Sequence, residues 1–433
     1  MSKELDFARN LIDFIYDSPT AFHAVDSVVK VLAAEGFVEL KENEKWNLSQ
    51  GGKYYSIKNG SAITAFIVGS ELPCKAGFRI IGAHTDSPSF RVKPCPELTS
   101  ENTYVKLNTE VYGGPILNTW LDRPLAVAGR VVLKGENPLT PIEKHVNLNR
   151  PLLIIPNLAI HMNRNVNAGI ELNKQKDTLP LLALVNEELE KDCYLLNLIA
   201  GELKVDKAEI LDFDLFLYEY EKGSIIGLNE EFISSGRLDD LAMVHAGLHA
   251  LITAKVSKAT AVLVCFDNEE VGSSTKQGGD SELLSNILER IVLCTGGNRE
   301  DFFRAVASSF MISADLAHAV HPNSGEKHDP INRPVINKGP VIKISASQSY
   351  TTDSFSCSIY EEICRASEVP YQKFVNRSDE RGGSTIGPIS STHLGMISVD
   401  MGSPILAMHS VRELAGVRDH SYTTKTFTKF YSL

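Results

Sequence analysis

Residues Thr260 to Thr275 read TAVLVCFDNEEVGSST, and the reading of the fold turns on them. The first half, Ala261-Val262-Leu263-Val264-Cys265-Phe266, is a short apolar run rich in β-branched residues, the pattern of a strand buried on both faces of a parallel sheet. It stops at Asp267-Asn268-Glu269-Glu270, and Gly272 then lets the chain turn sharply. In open α/β sheets the carboxyl end of such a strand is where ligands bind. Two adjacent glutamates in an extended or turning segment point in different directions, so one can hold a metal while the other handles a proton. A solvated acidic loop has the same local pattern.

Working outward, 433 residues are too many for one ordinary core, so two domains or one domain with an insertion are expected. A net charge of -11 argues against nucleic acid or an anionic membrane as partner, since either needs clustered Lys and Arg. The seven cysteines form no CxxC pair and are odd in number, which fits a reduced, cytoplasmic setting. The start, MSKELDFARN, lacks a basic flank followed by an apolar core, and no apolar run is long enough to span a bilayer.

Upstream, Leu5, Ala8, Leu11, Ile12 and Ile15 recur at helical spacing, and a second helix is expected to follow Ser18-Pro19-Thr20 and end at Gly36. Phe78 to Ala83 is another buried-strand candidate leading into His84-Thr85-Asp86. On an extended segment His84 and Asp86 share a face, which suits a metal-binding imidazole oriented by a nearby carboxylate. From Pro96 to Glu230 the texture becomes mostly β, with strands expected over 103–112, 126–133, 152–163 and 213–220 and a helix over 193–203. This reads as an insertion into the sheet-building segments 1–95 and 231–433. Within it, His161 in AIHMNRN stands near an expected strand end beside Arg164.

Gly236-Arg237-Leu238-Asp239-Asp240 opens a helix in which Asp239 either caps the first turn or faces a metal. His245 and His249 have HExxH spacing, but position 246 is alanine, so no zinc-protease helix is read there. Downstream, helices and strands alternate. Asp315 falls at a strand end near His318 and His321, and local spacing does not choose among the three. Arg381 to Gly387 is glycine-rich without the GK[ST] ending of a phosphate loop, which points to backbone contacts with a substrate. His409 precedes Ser410-Val411-Arg412-Glu413, whose S-x-x-E pattern predicts a capping box and a helix start.

His84, Asp239, Glu270, Asp315 and His409 form a set, each near an expected strand end or helix start. Three carboxylates and two neutral imidazoles carry three negative charges against four positive on two Zn2+, and one bridging hydroxide completes neutrality. Nitrogen and oxygen donors without thiolate suit a catalytic zinc pair, with Mn2+ or Co2+ as substitutes.

The segments IGAHTDSP, GRLDDL, FDNEEVGSS, SADLAHAVHPN, STIGPI and SPILAMHS resemble, in order and across the whole chain, the signature segments of the aspartyl aminopeptidase and vacuolar aminopeptidase I family of dinuclear zinc exopeptidases. The resemblance implies an α/β fold, a mixed, mostly parallel sheet flanked by helices, with residues 96–230 as an inserted, mostly β dimerisation domain. It implies that Asp239 bridges two zinc ions, that His84, Glu270, Asp315 and His409 complete the ligands, that Asp86 supports His84, and that Glu269 is the general base. It further implies assembly into a tetrahedral homododecamer in which His161 reaches a neighbouring active site, as an oxyanion donor or close to a metal. Expected is hydrolysis of the N-terminal residue of peptides by a metal-bridging hydroxide. Acid-preferring relatives carry basic residues where this chain has Ser347 and Ser349, which suggests a neutral or basic first residue. The alternatives are a zinc amidohydrolase acting on N-acyl amino acids and a non-catalytic assembly protein.

Overall fold

The computed structural model describes residues 2–169, 171–185, 193–380 and 382–433. Two units are distinguished. The first comprises residues 1–86, 223–408 and 413–433, and the second comprises residues 87–222 and 409–412.

The first unit is built on a nine-stranded sheet. Its strands are β1 (Val38–Glu39), β2 (Lys53–Lys58), β3 (Ala62–Ile67), β4 (Phe78–His84), β5 (Thr260–Phe266), β6 (Phe310–Ala314), β7 (Val341–Lys343), β8 (Gln372–Phe374) and β9 (Ile397–Gly402). Their order is β1-β2-β3-β5-β4-β6-β9-β7-β8. The central block β5-β4-β6-β9 is parallel, while β2-β3, β3-β5 and β9-β7 pair antiparallel. The apolar run that opens the sequence argument is therefore a strand buried on both faces, and alternate residues feed two cores. Ala261, Leu263 and Cys265 pack on one side with Ile81, Ala83 and Ile312. Val262, Val264 and Phe266 pack on the other with Ile80 and Met311.

Helices cover both faces. On the first lie α1 (Ser2–Tyr16), α2 (Ala21–Ala34), α3 (Leu238–Thr253), α6 (Ser354–Ala366) and α8 (Val417–Tyr431), and on the second α4 (Leu283–Cys294) and α5 (Arg299–Ala307). A further helix, α7 (Ile386–Leu394), follows the glycine-rich segment and puts Ile386 into the second core. Arg381 of that segment lies outside the described residues. A five-stranded sheet, 224–226, 232–235, 413–416, 404–406 and 317–318 in spatial order, completes the unit.

Among the described residues, the second unit is a six-stranded antiparallel sheet with one α-helix, Tyr194–Leu203, and its own core around Phe90, Trp120, Leu215 and Leu217. The strand expected over 152–163 does not form. Leu153, Ile154 and Ile155 make only isolated bridges, and residues 160–165 turn through bonds such as Met162 N–H to Ala159 O. His161 is exposed in that turn. Among the described residues no helix is long and apolar enough to cross a membrane.

Candidate metal centre

The parallel block brings three strand ends together. His84 is the last residue of β4 and pairs in register with Phe266, the last of β5, so the Asp267–Glu270 segment leaves the sheet beside it. Asp315 leaves the sheet one residue after β6, which pairs with β4 on its other edge. Across the sheet, α3 begins at Leu238, and Asp239 and Asp240 depart from helical dihedrals. Asp239 stands at the kink rather than within the regular turns of the helix. Its backbone N–H donates to Glu413 Oε2 at 3.1 Å.

Donor atoms from His84, Asp239, Asp240 and Asp315 lie within 4.8 Å of one another, and so do those of His84, Glu269 and Glu270. His84 is 1% exposed and Asp240 0%. His84 Nδ1 faces two acceptors, the Asp86 carbonyl at 3.1 Å and Asp86 Oδ1 at 3.4 Å, so its proton sits there. The other ring nitrogen, Nε2, faces Asp239 Oδ1 at 3.4 Å and would offer its lone pair to a cation on losing its proton. That spacing is long for a charge-assisted hydrogen bond, which would close to about 2.8 Å. Two ligands of one tetrahedral ion with bonds of about 2.05 Å stand roughly 3.3 Å apart. The donor set thus fits a divalent cation.

Asp86 organises this corner. Its Oδ1 accepts the Glu269 N–H and its Oδ2 the Glu270 N–H, each at 3.1 Å, while Oδ1 also meets the His84 ring. One buried carboxylate thereby fixes both glutamates and one imidazole. Asn268 is held at φ 63 between the strand and the glutamates, and its side chain accepts from Thr275 and Gln277. A left-handed non-glycine residue at this point turns the chain out of the strand.

The electrostatics follow from crowding acids out of water. Burial first, with Asp315 and Asp239 adding and His84 opposing, holds the Asp240 carboxyl well above its ordinary range. Burial raises Asp315 as well, although Lys343 opposes it. Burial, opposed by His84 and reinforced by Asp315, Glu270 and Asp86, lifts Glu269 to about 8. For His84, burial alone would lower the imidazole, but Asp240, Asp239, Asp86 and Glu269 outweigh it and hold it well above its usual value. In the metal-free chain the cluster retains protons that a cation would displace.

Three residues were not singled out from the sequence. Asp240 accepts the His84 backbone N–H through Oδ2 at 3.1 Å, while its buried Oδ1 has no hydrogen-bond partner among the described residues. Lys343, 4% exposed at the end of β7, meets Asp315 Oδ2 at 3.2 Å. Burial would lower its ammonium, but Asp315 outweighs that and holds it above the ordinary lysine value. Glu413 is the third. The capping box expected at Ser410 does not form, because Glu413 opens a strand, 413–416, paired with 232–235, and is drawn to the Asp239 amide. The one signal for Asp240 was its adjacency to Asp239. Lys343 carried none, and the local pattern at Glu413 pointed to a capping box instead.

His409 belongs with the second unit, at φ 68. Its Nδ1 lies 3.1 Å from the Gly114 carbonyl, which can only accept, so the lone pair is on Nε2, the tautomer a metal ligand needs. His245 and His249 stand apart from the cluster. Both face Phe7, and His245 bonds His420 and Asn10.

The aminopeptidase I zinc metalloprotease (M18) family profile matches residues 14–431. A probable M18 family aminopeptidase 2 of Clostridium novyi is 68% identical over 433 residues, the whole of both chains. A chain in the cryo-EM structure of the Ape4 and Nbr1 complex is 37% identical with TM-score 0.95, covering 99% of this chain and 86% of that one. A chain of the yeast mApe1 dodecamer is 28% identical with TM-score 0.86, covering 100% of this chain and 97% of that one.

Proposed function

The chain belongs to the aminopeptidase I zinc metalloprotease (M18) family, and from that premise we propose that it removes the N-terminal residue of peptides at the acidic cluster, with His84, Asp239, Glu270, Asp315 and His409 holding two zinc ions and Glu269 acting as general base. Mn2+ or Co2+ would serve as substitutes, since the donors are nitrogen and oxygen. The observation that carries the assignment is the Nε2 of His84 facing Asp239 Oδ1 at 3.4 Å, inside a set of acids too crowded to ionise together.

When bound, the cation pair supplies positive charge that polarises the scissile carbonyl and makes a water acidic near neutral pH. Glu269, half-buried and held by the Asp86 clamp, takes a proton from the attacking water and passes it to the leaving amine. Asp240 fixes the His84 backbone, Glu413 fixes that of Asp239, and Lys343 balances the charge of Asp315. Each holds a donor at the position the chemistry needs.

The first-residue pocket is assigned to a neutral or basic side chain. Ser345, Ser347 and Ser349 form a chain of hydroxyl contacts at 2.9 and 3.1 Å, and Lys343, the cation on the preceding strand, is committed to Asp315. The second unit is assigned to self-association into a tetrahedral dodecamer, with His161 reaching a neighbouring subunit's site. Leu158, Ile160 and Met162 are exposed around His161, an apolar surface that supports a covered face. Cleavage of free-amine aminoacyl substrates, with N-acetylated versions left intact, tests the reading. The reverse preference would point to an N-acyl amino acid hydrolase, and inertness toward both to an assembly protein.

A further inference from the structure

Away from the acidic cluster, α1, α3 and α8 leave an open groove of about 1130 Å3. Its rim carries four ammonium groups, Lys3, Lys255, Lys425 and Lys429, and one carboxylate, Glu4. Among the described residues none of the four lysines forms an ion pair, and Lys425 lies over the Tyr422 ring at 5.7 Å. In a chain where acids outnumber Lys and Arg by 54 to 43, an unpaired group of four runs against composition.

Helix ends account for only half of it. Lys255 follows the end of α3 and Lys429 is in the last turn of α8, where the negative end of a helix favours a cation. Lys3 lies in the first turn of α1, the positive end, where the same effect disfavours it, and Lys425 is in the middle of α8. Phe7 gives the groove an apolar wall. Its ring stacks on His420 at 4.8 Å and 18° and meets His249 edge-on at 5.1 Å, so the wall is held by packing behind it.

We propose that this groove binds a small metabolite bearing two phosphate monoesters. Four ammonium charges and the Glu4 carboxylate leave a net three positive charges, against about three to four negative on two phosphate monoesters near neutral pH, and the volume holds a sugar-sized body. Lysine acts on phosphate as a point charge, whereas planar bidentate recognition of carboxylates would call for arginine. The proposal is independent of the peptidase reading, because none of these side chains belongs to the acidic cluster.

The test is calorimetric titration of the full-length, metal-loaded protein with fructose 1,6-bisphosphate, whose separated phosphates chelate zinc weakly. Expected is saturable binding with a dissociation constant of about 1 mM or tighter. Raising the salt weakens it. The Lys425→Glu/Lys429→Glu double variant binds at least roughly tenfold more weakly, a loss of about 1.4 kcal/mol. Lys425→Arg/Lys429→Arg retains binding, and both variants keep basal peptidase activity. The absence of saturable heat overturns the proposal. So does equal heat from sulfate at matched ionic strength, or binding that survives charge reversal.

Discussion

Replacing Asp86 by asparagine tests the corner of the site on which the other groups depend. The carboxylate, itself buried, accepts two backbone N–H groups at 3.1 Å and faces the buried His84 ring at 3.4 Å. Asparagine keeps one acceptor oxygen and turns an NH2 toward a second N–H, so one charge-assisted bond is lost and a buried donor is left facing a donor. A hydrogen bond to a charged group contributes about 1.5–3 kcal/mol, and an unsatisfied buried group costs about 1–3 kcal/mol. Together these reach about 2.5–6 kcal/mol, and local relaxation brings the loss toward the lower end, about 2.5–4 kcal/mol. Part of it appears as lower stability of the metal-free chain. The rest appears as zinc affinity weakened about 10–100-fold, because the imidazole and both glutamates lose their orienting partner. Chelator competition for zinc and thermal melts of the apo protein measure the two parts separately. Zinc affinity within about threefold of wild type, with an unchanged melt, would refute the clamp.

Glu269→Gln removes the proton acceptor without altering the donor atoms of the proposed ligands, so metal content stays near normal while turnover falls by about 10²–10⁴ or more; near-normal turnover rules out the assigned base. Glu413→Gln keeps an acceptor for the Asp239 amide but discards a buried charge, and zinc affinity is expected to weaken by about tenfold, with no change counting against its positioning role. Burial, with His249 adding to it, depresses His420 to about 3. Its folded value lies below the unfolded one, so the stability it contributes is present above pH 6.5 and lost as pH falls toward 3, about 3 kcal/mol of it by pH 4.5. Unfolding midpoints followed across that range should show this loss in the wild type and a shallower one in His420→Gln; parallel curves would exclude it. A panel of aspartyl, leucyl and lysyl substrates should favour the latter two, and strong aspartyl preference would return the pocket's selection to Lys343.

Where sequence and structure agree, the signal was local. The 260–266 run is apolar at every position, so it is a strand buried on both faces, and the polar residues after it had to stand at the sheet's ligand-binding edge. His84, at the end of β4, was legible for the same reason, whereas Asp315, just past the end of β6, shared its strand end with His318 and His321 and was not singled out by local spacing. Glu413 was misread because a capping box is a local pattern that here competes with a tertiary pairing. The strand 413–416 is claimed by 232–235, and the carboxylate by an amide 174 positions earlier. Lys343 looks like any solvated strand-end lysine until β6 brings Asp315 to it. Leu152 to Asn163 has strand-like composition, but among the described residues only 153–155 make β-bridges, and those are isolated. Contacts of high sequence separation leave no periodicity to read.

The central claim, that side chains far apart in sequence share a pair of divalent cations, is tested most directly by anomalous diffraction from zinc-loaded crystals, recorded on both sides of the zinc absorption edge. The account predicts two peaks per chain flanking the Asp239 carboxylate, one beside His84 and both absent below the edge. A single peak, or peaks elsewhere such as the buried histidines of α3 and α8, would contradict it.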